Sequence, residues 1–151
     1  MIKELSVLKD EFISICNGSP WYGENMITIL NKVISSKAYN NRIPGKHSVI
    51  EILYHIIYWR LFTISRFEQQ QNIEHSVNNN WQEIEIADEQ LWQKTITQFE
   101  FTQQKLLFLL DTTEDDILER IVPDRTYNFR FLLNGTIQHD IYHIAQISYC
   151  L

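Results

Sequence analysis

An all-α bundle of long helices, folded as one domain over residues 1–151, is what this sequence predicts, and three observations carry that expectation. Apolar residues recur at steps of three and four along several stretches, the period of a helix with one buried face. Only four Gly and three Pro interrupt the chain, too few for a strand-rich fold that turns every ~10 residues. The length of 151 residues, with 44% hydrophobic and 21% charged residues, suits a single globular domain that buries roughly two thirds of its unfolded surface.

In chain order, Ile2, Leu5, Leu8, Phe12 and Ile15 place a first amphipathic helix ending near Cys16, with Lys3, Glu4, Lys9 and Asp10 on its polar face. Asn17-Gly18-Ser19-Pro20 stops it, Gly18 as a left-handed cap and Pro20 because it cannot continue the hydrogen-bond ladder. Trp21 and Tyr22 follow in a short loop, where two large aromatics either plug the end of the core or form a pocket wall. Glu24 to Ile34 reads as a shorter helix with Met26, Ile29, Leu30 and Val33 on one side, and Ser35 to Lys46 as a connector. After the break around Pro44-Gly45, Ser48 is placed as an N-cap with Glu51 three residues on, the pattern of a capping box.

The long helix that starts there, Ser48 to Phe67, buries Ile50, Leu53, Tyr54, Ile57, Leu61, Ile64 and Phe67, with His55 amid this apolar segment and Trp59 one turn on. Gln69 to Trp81 is polar and Asn-rich, the composition of a surface loop. Its His75, like His47 in the earlier connector, has no partner at ligand spacing and is expected to be solvated. Asp88 opens a third long helix, in which Leu91, Thr95, Gln98, Phe99, Thr102, Leu106 and Leu109 repeat up to about Asp111. Glu114 to Arg120 adds a helical turn, Ile121 to Arg125 reads as extended, and Asn128 to Tyr149 is the last helix.

Composition excludes several function classes. A net charge of −6 with scattered basic residues argues against a surface that neutralises phosphates, so nucleic acid is not expected as a partner. No apolar run approaches the ~20 residues of a membrane span, and the charged N-terminus lacks a signal-peptide core, which gives a cytoplasmic expectation. Cys16 and Cys150, the only two cysteines, form no C-x-x-C pair and read as reduced.

The informative motif is in the last helix, where His139 and His143 lie four residues apart, on one face and one turn from each other. Leu132, Thr136, Gln146 and Ile147 fall on or beside the same stripe, which turns both imidazoles toward the bundle interior. Ring nitrogens aimed at one point in an apolar layer need an acceptor, and a cation is the most direct one; the alternative is that each ring donates to a carbonyl or to solvent. His55 is the candidate third ligand, since it sits mid-helix in another apolar segment.

Three motifs, Gly18-Ser19-Pro20-Trp21, S-V-I-E-I-L-Y-H at Ser48 to His55, and H-D-I-Y-H-I-A-Q-I at His139 to Ile147, make the sequence resemble the DinB-like family of bacterial bundles over essentially its whole length. The resemblance implies an up-down-type four-helix bundle with a short extra helix, and a divalent metal, nickel or zinc, on His55, His139 and His143. It also implies a metal-dependent activity on a small molecule. Family members include thiol-dependent transferases and isomerases that use bacillithiol, mycothiol or glutathione, and others that look like metal-dependent hydrolases. The expected function is therefore a thiol-dependent S-transferase or a hydrolase in which the metal activates a thiol or water. The compact length suggests a form without the second domain of the larger isomerases, so a multidomain activity is not expected, and dimerisation through helix faces, common in the family, leaves a homodimer open.

A ligating imidazole usually donates its other N–H to an acceptor, for which Glu51, one turn before His55, and Gln146, three residues after His143, are the candidates. Trp21, Tyr22 and Trp59 are the candidate pocket walls, and Asp140, about 100° around the helix from His139, is read as a cap or surface partner. The alternative function is a non-catalytic, metal-stabilised bundle that binds a small ligand or a protein partner, its site closed by a fourth ligand such as Glu51.

Overall fold

In the computed structural model, which describes residues 3–40, 46–69, 80–84 and 88–151, five helices pack as a bundle in one domain. They are α1 (Glu4–Asn17), the short α2 (Met26–Leu30), α3 (Val49–Phe67), α4 (Glu89–Thr112) and α5 (Phe129–Tyr149). Around the bundle α1 touches α4 and α5, and α3 touches the same two, so α1 lies diagonally across from α3. Among the described residues there is no strand, only an isolated antiparallel bridge between Ile121 and Asn128. No helix of the described residues is long and apolar enough to cross a membrane.

The helix starts follow from local chemistry. The Ser48 hydroxyl accepts from the Glu51 N–H while the Glu51 carboxylate accepts from the Ser48 N–H, a complete capping box that satisfies two otherwise orphaned donors. Asp88 and Asn128 cap α4 and α5 through their side chains in the same way. Residues 114–120 form a 3-10 turn over Asp115–Glu119, and α2 is confined to five residues within the stretch expected to be helical to Ile34. Gly18 ends α1 with φ −94°, outside the left-handed region. Glycine is needed there for space, because a Cβ would lie 2.8 Å from the Ser14 Cα. His75 and the Pro44-Gly45 break lie outside the described residues.

Helix α1 is capped from far away in sequence. Lys3 offers no side-chain cap, and the first N–H groups, of Glu4 and Leu5, donate instead to the Asp115 carboxylate at 2.8 and 3.1 Å. A carboxylate at a helix N-terminus satisfies donors and meets the positive end of the dipole together. Helix α3 is buried almost all round, against α4 and α5 on two sides and against Trp81 and Ile84. Its burial explains why an apolar stripe alone does not describe it.

Two substitutions separate these contacts. Asp115→Ala should lower unfolding stability by about 1 kcal/mol, the usual cost of a lost cap. Lys3→Ala, which removes only the exposed pair with Glu114, should leave the urea midpoint within error of the parent. Equal effects of the two would show that Asp115 does not cap α1.

Candidate metal centre

His55 on α3 and His139 and His143 on α5 come together inside the bundle. One ligand-type atom from each lies within 4.8 Å of the others, and the ring centroids are 4.4 to 4.9 Å apart. His55 and His143 are buried, and His139 keeps a partly open edge.

The outer nitrogens decide what the inner ones can do. His55 Nδ1 donates to the Asn80 carbonyl at 2.9 Å, and His143 Nδ1 donates to Gln146 Oε1 at 2.6 Å. Both acceptors are oxygens, so the proton sits on Nδ1 and each Nε2 turns a lone pair inward. Both ring nitrogens of His139 are buried with no hydrogen-bond partner among the described residues. Nitrogen atoms left orphaned beside two inward lone pairs are costly in an apolar layer, and a divalent cation accepts all three. The residues present therefore fit a metal ion, and the three-histidine cluster could hold one.

Burial also sets the protonation state. His55 and His143 are each pushed down to about 4, chiefly by desolvation, with the neighbouring His139 adding charge repulsion to both. Rings held neutral are ready to ligate without first losing a proton. Cys16 shifts the opposite way, since burial raises its thiol above the ordinary range and the nearby Arg60 only partly offsets this. A thiol kept protonated is a poor nucleophile.

Several side chains stand elsewhere than the sequence suggested. Glu51 does not reach His55: its Oε2 accepts from the Ser48 N–H and its Oε1 from the Ile84 N–H, so it caps α3 and holds residues 80–84. Trp21 is fully exposed, neither core plug nor pocket wall, whereas Tyr22 is about half-buried. Both occupy the corners of the turn that the Gly23 N–H closes onto the Pro20 carbonyl, a position that projects side chains outward. His47 is not simply solvated but stacks on Trp81 at 3.6 Å, and His55 stacks on the same indole at 3.8 Å, so the indole is sandwiched between two imidazoles. Trp59 does stand beside the centre, edge-on to His55 and His139. It also lines a cavity of about 260 Å³ that reaches His139.

Asp140 is no surface residue. It is fully buried, its Oδ2 accepts from Arg60 Nε at 2.7 Å, and its partnerless Oδ1 lies 3.7 Å from His139 Nδ1. Arg60 goes on to donate to Gln103 Oε1 at 2.9 Å and stacks over Phe99, and Gln103 donates to the Phe12 carbonyl. The signal that could have found this network is Arg60 itself, a charge set within the apolar run of α3.

Acid should loosen the metal-free protein in a defined window. Well above pH 6.5 His55 and His143 are neutral in both the folded and the unfolded chain, and they add no slope to stability. As pH falls below the ordinary value near 6.5, the unfolded chain takes up protons that His55 and His143 refuse until about 4, so stability drops by about 1.4 kcal/mol per pH unit for each ring. Melting curves with a chelator between pH 8 and 5 check this, and a melting temperature that rises on acidification would contradict it.

The family profile of the DinB superfamily matches residues 24–147. No curated protein and no solved structure matches the chain significantly. The matched segment holds α2 to α5, nearly to its end, and all three histidines, and on that match the chain belongs to the DinB superfamily.

Proposed function

We propose that this protein is a metal-dependent enzyme, a thiol-dependent S-transferase or a hydrolase, whose divalent ion, nickel or zinc, is held by His55, His139 and His143. The observation that carries this reading is the one-sided closure of the histidine centre. Two rings are tied by their outer N–H groups and turn their lone pairs inward, while His139 faces a cavity rather than a fourth protein ligand. Among the described residues the ligand set contains only the three histidines, and Glu51, the fourth ligand of a closed structural site, is engaged in the capping box. An exchangeable position beside a pocket is the mark of a catalytic site.

A divalent ion bound there supplies Lewis acidity, which lowers the pKa of a water or thiol in its open position toward neutrality. The chain's own part is to hold and orient. The Asn80 carbonyl and Gln146 fix the tautomers of His55 and His143, and Trp59 keeps bulk water from one side of the centre. The neutral Cys16 leaves nucleophile duty to a low-molecular-weight thiol or to water.

Elemental analysis of the purified protein should find about one divalent ion per chain, lost in His143→Ala. Gln146→Leu should weaken metal affinity about 10- to 100-fold, as loss of an orienting acceptor does. Turnover is sought with bacillithiol, mycothiol and glutathione against electrophilic acceptors, and with simple esters and amides, each with nickel, zinc and manganese. Trp21→Ala should match the parent in whichever assay responds, because Trp21 is fully exposed. Metal without turnover in the whole panel would favour the non-catalytic binding bundle, and turnover that survives loss of His143 would end the metal-enzyme reading.

A further inference from the structure

The cavity beside His139 has walls that select a chemistry. Trp59, Phe62, Tyr127, Phe131 and Leu132 supply most of its lining, and among the described residues no ionised side chain lines it. Its two threonine hydroxyls, of Thr63 and Thr136, lie 2.9 Å from each other and 3.1 and 2.9 Å from the carbonyls of Trp59 and Leu132, so their two protons are used up within these contacts, and a third hydroxyl in the lining belongs to Tyr127. A carboxylate or an ammonium placed here would lose water and meet no counter-charge in this lining, a penalty of several kcal/mol. The guanidiniums of Arg66 and Arg125 stack on Phe62 but stand outside the lining. Among the described residues, the buried polar atoms of the lining that lack a partner are the two ring nitrogens of His139.

Gly135 is the second, independent observation. It lies one helical turn before His139 and lines the cavity, and a Cβ built on it meets nothing within 4 Å. Neither a positive φ nor a close packing contact calls for glycine there, although glycine inside a helix costs about 1 kcal/mol relative to alanine. What the missing side chain leaves is open volume directly beside the histidine centre.

We propose that this cavity binds an uncharged aromatic or branched aliphatic substituent of the molecule whose reacting bond lies at the histidines. The size agrees: about 260 Å³ exceeds the ~150 Å³ that accommodates benzene. Entry is past Phe131, which is largely exposed, and Tyr127, whose ring lies 5.1 Å from it. The reactive end thus points along α5 from Phe131 toward His139, with its apolar group beside Gly135. This assignment rests on the metal-enzyme reading for the site of reaction, but the apolar selectivity of the cavity stands apart from it.

Hydroxamates test both parts, since the hydroxamate group chelates a divalent ion and its substituent is free to vary. With zinc-loaded protein, calorimetry should give benzohydroxamate about 10- to 100-fold tighter binding than acetohydroxamate, the gain expected from burying one phenyl ring. The 4-carboxylate derivative of benzohydroxamate should lose that gain. Gly135→Leu, which fills the open volume without touching the ligands, should bring the ratio near one; Phe131→Ala, at the exposed mouth, should reduce it if the first variant folds poorly. In parallel, toluene should raise the melting temperature of chelator-treated protein and fail to do so in Gly135→Leu. Equal affinity for the two hydroxamates, tolerance of the carboxylate, or a preference that survives Gly135→Leu overturns the assignment. If toluene binds as described while hydroxamate binding is indifferent to zinc, the cavity assignment holds and the metal reading falls.

Discussion

Arg60 and Asp140 are both shut off completely from solvent, and they form a buried ion pair beside the histidines. Two ions in a core are expensive to desolvate, and here the offset is partial, since among the described residues Arg60 Nη2 and Asp140 Oδ1 have no hydrogen-bond partner. Here Arg60 binds Asp140 and Gln103 and lies over Phe99, so one side chain of α3 reaches α5 and α4, while Gln103 extends the chain to the carbonyl of Phe12 on α1. All four long helices are thereby fixed in rotation and in axial register at one level. His55 precedes Arg60 by little more than a turn, and His139 adjoins Asp140 in sequence. Locking the ion pair therefore aims the imidazoles of α3 and α5 at one another.

How much of this could be read from the sequence depends on the range of each interaction. Ser48 with Glu51, Asp88 and Asn128 are local caps, whose chemistry is complete within a few residues, and the helix starts were legible to within a residue. The histidines of α5 were legible for the same reason, being one turn apart, and Gln146 lies within reach of His143 on the same helix. What stayed hidden acts at long range or through the backbone. The acceptor for His55 is the carbonyl of Asn80, which no side chain announces, and Glu51 was drawn away from His55 by two backbone N–H groups, one of them in residues 80–84. The cap of α1 comes from Asp115, more than a hundred residues on. Trp21 looked like a core aromatic because composition cannot tell the corner of a turn from its base.

The two halves of α5 divide the work of the site. Its N-terminal half carries Phe131, Leu132, Gly135 and Thr136, which face the apolar cavity, and its C-terminal half carries His143 and the Gln146 that orients it. His139 stands where the two meet, with one edge open and both ring nitrogens unengaged. The same apolar surroundings keep His55 and His143 neutral and exclude charge from the cavity, so selectivity for a ligand and readiness to ligate share one physical cause.

Residues 80–84 hold the centre and its surroundings at three points: the Asn80 carbonyl on His55, the Trp81 ring between His55 and His47, and the Ile84 N–H on Glu51. Docking of this strap favours the Nδ1–H form of His55, the form whose Nε2 lone pair points inward. Thermodynamic reciprocity then applies: whatever draws on that lone pair from inside must tighten the strap from outside by the same factor. The hold of residues 80–84 on His55 is thus tied energetically to occupancy of the histidine centre.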